Sequence, residues 1–114
     1  MKDLLFGMTF IFMGQMLIWY QTNGQFVWDS FKRNPLLLAI GFGTIISYLL
    51  IVGTKHIVSH FDGLLWPGRF IAFGLGIISF TFLTWFYMNE GISLKTTVSL
   101  ILALTLVSIQ ILWK

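Results

Sequence analysis

Gln15 and Arg69 are the two side chains of this sequence best suited to recognising a ligand. Gln15 lies in "FMGQMLIWYQ", late in an apolar run that begins at Leu4. Its amide carries two N–H donors and an acceptor oxygen. Within an apolar helix such a group either makes an interhelical hydrogen bond, worth about 0.6 kcal/mol on average in lipid, or serves as a neutral contact for a polar substrate. It cannot take up and release a proton near neutral pH. Arg69 follows "WPG" at the start of another apolar run. At a helix end, Arg can snorkel to the headgroups at low cost. The functional reading is an anion site: a planar, permanently charged fork, helped by the first backbone amides of the helix, would suit a carboxylate or phosphate.

Other chemistry finds less support. His56 and His60 stand four residues apart with Asp62 close by. That spacing puts two imidazoles on one helical face, but a third fixed ligand is missing, so they read as interfacial surface residues. Asp62 and Glu90 form the best carboxylate pair and belong to opposite faces. There is no phosphate-cradling glycine loop, nucleophile elbow or HExxH. Neither an enzyme, nor a metal site, nor a cofactor is expected.

The elements that must position these residues follow from composition. A soluble domain carries about a quarter charged residues, whereas this chain of 114 residues has 10%, with 57% hydrophobic. Lipid is its natural solvent. The net charge of +3 is spread over the loops. Since no basic cluster exceeds two residues, it suits anionic headgroups and not nucleic acid. Cysteine is absent, which excludes disulfides and thiolate metal sites.

A membrane-spanning helix needs about 20 mostly apolar residues. Four segments qualify, at roughly 4–20, 35–54, 68–88 and 94–113. The first lacks a small-residue cleavage site before "WYQTNGQ" and is read as a retained span. Pro35 and Pro67 suit first turns of helices. Trp19, Tyr20, Trp66, Trp85, Tyr87 and Trp113 cluster at predicted ends, as an interfacial belt does. In the first loop Asn23-Gly24 signals a turn. Beyond it Val27, Trp28 and Phe31 share one helical face, opposite Asp29, Lys32 and Arg33. This predicts a short interfacial helix over roughly 25–32.

Lys2, Lys55, Arg69 and Lys114 fall on one side of such a four-span chain, and Lys32, Arg33 and Lys95 on the other. Four cations against three give almost no orientation bias, so the chain could insert both ways and pair antiparallel, as inverted repeats do within larger transporters. A lone unit of this size offers no gated path, so transport implies a homodimer. Ala72 and Gly76, and Ser99 and Ala103, show the small-xxx-small spacing that lets helices approach in lipid. The expectation is a third span lining the cavity and a fourth span, through Ser99 and Ala103, making the dimer contact.

The segment "GLGIISFTFLTWFYMNEGISLKTTVSLILALTLVSIQILW" resembles the drug/metabolite transporter superfamily in its small four-helix form. Small multidrug resistance proteins share the pattern of Gly74, Gly76 and Trp85, and that of "GTIISY" in the second span. A closer likeness is to uncharacterised small members of that superfamily. It rests on Phe12-Met13 before Trp19-Tyr20, on "YLLIVGTKHI", on a basic residue near Arg69 and on Tyr87 to Glu90. Together these cover nearly the whole chain. The glutamate that small multidrug resistance proteins carry in the first helix has no counterpart here after Asp3, and the position of their third-helix tyrosine falls at Arg69. Exchange of cationic drugs for protons is therefore not expected.

The expected architecture is all-α: a bundle of four transmembrane helices, working as a homodimer, with an antiparallel pair one open arrangement. The expected function is alternating-access transport of a small polar metabolite, an anionic one if Arg69 takes part. Gln15 would contact it, with Tyr20, Tyr48 and Trp85 lining the cavity. The resemblance places the chain in the inner membrane of a bacterium. The alternative is a non-transporting membrane protein that binds a larger partner through Phe26 to Phe31.

Overall fold

The computed structural model describes residues 1–113 and contains only helices and turns among them. Helix α1 is Lys2–Asn23, α2 Asp29–Arg33, α3 Pro35–His60, α4 Trp66–Met88 and α5 Leu94–Leu112. All but α2 are long and apolar enough to cross a membrane, and they define an integral membrane protein. Lys114, one of the cations counted above, lies outside the described residues.

Local sequence explains the boundaries. Pro35 and Pro67 sit in the first turns of α3 and α4, where a missing N–H removes no helical bond. Ser93 caps α5, its Oγ accepting from the Thr96 amide at 3.2 Å. Asn89 ends α4 in the left-handed conformation at φ 56°, a role short polar side chains tolerate. Asp62 and Gly63, at φ 55° and 91°, turn α3 into α4. The second span runs further than expected, through "KHIVSH" to His60. At 26 residues it measures about 39 Å, so its last turns extend past a hydrocarbon core of about 30 Å.

The helices do not close into a bundle. Packing runs α3 to α1, α1 to α4 and α4 to α5, with α3 meeting α4 only sparsely. The chain measures 46 × 36 × 18 Å. A two-by-two bundle would be about equally wide in both cross directions, whereas four helices abreast at 8–10 Å spacing need a broad, thin cross-section. The result is a row, α3–α1–α4–α5, that encloses no central cavity by itself.

Glycine sets the tightest seam. A Cβ on Gly7 would stand 2.7 Å from the Gly53 carbonyl oxygen, and one on Gly53 would stand 3.0 Å from that of Gly7. The backbones of α1 and α3 therefore touch. Next to this seam lies an aliphatic core of Leu4, Ile11, Ile57, Ile71, Leu75 and Val107. At the other end of the row the packing is aromatic, around Trp19, Tyr20 and Tyr87.

Two expectations need correction. The interfacial helix over 25–32 is broken: a 3-10 turn covers Gly24–Phe26, Trp28 is extended at φ −122° and ψ 130°, and α2 has five residues. So short a segment cannot sustain a helix alone, and Trp28 and Phe31 fold back on the ends of the long helices instead. Trp28 stacks on Tyr20 at 6.1 Å, and the Phe31 ring fills the space a Gly24 side chain would need. The second correction concerns Ala103. It is 2% exposed and packs on α4 of its own chain, with Gly74 making room for Ala103 and Val107. It is therefore unavailable to a second chain, while Ser99 is exposed. Gly76 is likewise taken up inside the chain, by α1.

Candidate functional site

The α1–α4 seam carries the polar groups. At mid-span the Gln15 side chain lies against Gly76: a Cβ there would stand 2.9 Å from Gln15 Oε1. Only glycine at 76 leaves this space. Gln15 is half-buried. Among the described residues its amide makes no hydrogen bond, and no fully buried side-chain polar atom lacks a partner. The amide therefore has no partner among the described residues and reaches the surface.

One turn on, the Trp19 indole N–H donates to Thr84 Oγ1 at 2.9 Å, and Trp19 is 2% exposed. Next, the Tyr20 and Tyr87 hydroxyls meet at 2.9 Å. Tyr87 also stacks on Trp19 at 5.3 Å and meets Trp28 edge-on at 5.5 Å. These rings hold the loop end of α1 to α4, each hydroxyl or N–H satisfied inside an apolar setting, as buried tyrosine and tryptophan require.

Two hollows flank this end of α4. One, of about 300 Å³, is bounded by Trp19, Asn23, Phe26 and Met88. The other, of about 330 Å³, opens between α4 and α5 and is bounded by Trp85, Glu90, Lys95, Thr96 and Ser99. Phe80, Thr84 and Glu90 border both.

The five expected ligand contacts do not converge within one chain. Gln15 is at mid-span on the seam. Tyr20 belongs to the aromatic cluster at the loop end. Trp85, at the same end, faces the α4–α5 hollow and is 52% exposed. Tyr48 is 64% exposed on α3, at the far edge of the row. Arg69 is exposed in the first turn of α4, at the opposite end from Tyr20 and Trp85, and has no ion pair among the described residues.

Sequence reading missed three features. Trp19 was assigned to the interfacial belt and is instead buried between helices. Thr84 was passed over, although a hydroxyl in so apolar a run is a signal. The third is a contact across the α1–α3 seam: His56 Nδ1 meets Asp3 Oδ1 at 2.9 Å, and Ser59 Oγ donates to Asp3 Oδ2 at 3.4 Å. His56 thus faces an aspartate of α1, while His60 lies edge-on to Phe61 at 4.8 Å. No group of three metal-ligating side chains is present among the described residues.

Compared with known family profiles, curated proteins and solved structures, the chain matches none.

Proposed function

We propose that this protein is a membrane transporter of a small polar metabolite, working as a homodimer in which each chain supplies one wall of the pathway. The carrying observation is Gln15: an amide at mid-span, unbonded among the described residues and open to the surface. A polar group at that depth is costly unless it faces protein, water or substrate. A thin row of helices offers a face, not an enclosure, so a second chain laid over that face completes the cavity. Ala103 being covered by α4, the fourth span would meet its partner through the exposed side that includes Ser99. Arg69, without an ion pair among the described residues, favours anionic substrates at the mouth on its side of the membrane. The resemblance to small four-helix drug/metabolite transporters supports the same reading.

The docking alternative loses part of its surface, because Trp28 and Phe31 pack on Tyr20, Tyr87 and Phe42.

A thermal-shift screen of metabolites on the purified protein, followed by uptake into proteoliposomes, tests the proposal. A ligand that binds only the folded state raises the melting temperature. The shift is expected to vanish in Gln15→Leu, and for anionic hits to shrink in Arg69→Ala. Hits that persist undiminished in both variants refute it.

A further inference from the structure

We infer that the hollow between α4 and α5 is a binding site for a zwitterionic phospholipid with a primary ammonium headgroup. This goes beyond transport and uses neither Gln15 nor Arg69. Three observations carry it.

The first is charge. Glu90 and Lys95 border one hollow of about 330 Å³. Among the described residues the sole ion pair is Asp3 with His56, so this acid and this base leave each other unpaired. Two separated, opposite charges in one site match a ligand that carries both signs. They match a singly charged ligand poorly, because one of the two would then face a like charge or nothing.

The second is the distribution of partners. On the Lys95 side stand the start of α5, the Ser93 cap and the Thr96 hydroxyl. Helix N-terminal amides and an ammonium favour a phosphate there. Trp85, half-exposed, borders the same hollow as Glu90; its ring face attracts an ammonium, and the Glu90 carboxylate can accept that group's N–H bonds. Primary ammonium suits that carboxylate better than a quaternary one, which has no N–H to give.

The third is depth. Glu90 and Lys95 lie in the turn that joins two spanning helices, at headgroup level. Below them Ile77, Phe80 and Leu100 continue the lining toward the membrane interior. A ligand with a charged head and apolar chains fits that gradient. The volume lies at the lower end of the range for small-molecule sites, enough for a headgroup with its chains left in lipid.

Native mass spectrometry of the full chain in mixed micelles tests this, with phosphatidylethanolamine, phosphatidylcholine or phosphatidylglycerol as the probe. Phosphatidylethanolamine is expected to be retained most strongly. Glu90→Gln should lower its affinity two- to five-fold, the upper range for a partly exposed charge pair, and leave phosphatidylglycerol unchanged. Lys95→Gln should weaken both. Lys55→Gln, an exposed cation near the opposite membrane face, should change neither. Glu90 and Lys95 are exposed and bonded to no other side chain among the described residues, so the variants fold, which their melting temperatures verify. Equal retention of phosphatidylethanolamine and phosphatidylglycerol, or retention indifferent to both hollow variants, overturns the site. Soluble phosphoethanolamine should bind at least ten-fold more weakly. If it matches the lipid, the apolar lining contributes nothing and the phospholipid assignment is wrong.

Discussion

Trp19 and Thr84, 65 residues apart in sequence, join α1 to α4 by a 2.9 Å hydrogen bond that satisfies a fully enclosed indole. Thr84→Val keeps the shape and removes the acceptor. In water an orphaned buried donor costs about 1–3 kcal/mol. Hydrogen bonds between membrane helices average about 0.6 and reach about 1.7, because the unfolded chain in lipid also finds partners. The upper part of the membrane range applies, since Trp19 has no route to solvent. Unfolding in bicelles should show a loss of about 1–1.7 kcal/mol, with Thr84→Ser close to the parent. A loss no larger in Thr84→Val than in Thr84→Ser removes the bond from the account.

The α1–α3 seam makes a sharper prediction. A Cβ on Gly53 would stand 2.7 Å from Ile11 Cγ1 and 3.0 Å from the Gly7 carbonyl oxygen. The side chain can swing away; the backbone oxygen cannot. Gly53→Ala should therefore force α1 and α3 apart and cost about 1–3 kcal/mol, the usual penalty for overpacking. Gly41→Ala, in the same helix with nothing within 4 Å, should cost nothing and gain some helix propensity. Paired unfolding measurements check both, and equal effects at the two glycines would mean the seam is looser than described.

The four spans were legible because length and apolarity suffice to define them, and Pro35 and Pro67 mark two of their starts. The order of helices in the row was not. Each span is apolar nearly all round, so no stripe says which neighbour it prefers, and Gly7 and Gly53 look like any glycines of a membrane helix. Trp19 was misread for a related reason: an aromatic near a span end has the same signature whether it faces headgroups or another helix. Asp3 and His56 were separable only by structure, being 53 positions apart. Gln15 was legible as an anomaly, but Gly76 showed only small-residue spacing on the third span, with nothing to say that Gln15 would be its neighbour.

Helix α5 is the least secured, since it packs almost wholly on α4. Its start depends on Ser93, whose Oγ accepts from the Thr96 amide at 3.2 Å. Replacing a serine cap with alanine costs about 1 kcal/mol. In Ser93→Ala this should appear as faster amide exchange confined to the first turn of α5, with α1 and α3 unaffected. Acceleration spread over all helices would show that α5 is cooperative with the rest of the row.

Gly76→Ala asks what the Gln15 amide is for. The added Cβ would meet Gln15 Oε1 at 2.9 Å and Cδ at 3.1 Å. Those atoms end a flexible side chain, so the amide moves and the helices stay. The stability change should remain within about 0.5 kcal/mol, as for a substitution that strains no backbone, in contrast to Gly53→Ala. The Gln15 side-chain amide signals in an NMR spectrum should shift, while those of Gln21, bonded to the Leu38 carbonyl at 3.3 Å, should not. Because the displaced amide no longer projects from its original place, ligands found in the thermal screen should bind more weakly to Gly76→Ala than to the parent, and most weakly to Gln15→Leu. A stability loss as large as that of Gly53→Ala would instead show that the amide is wedged between α1 and α4 as packing, and the transport reading would lose its main support.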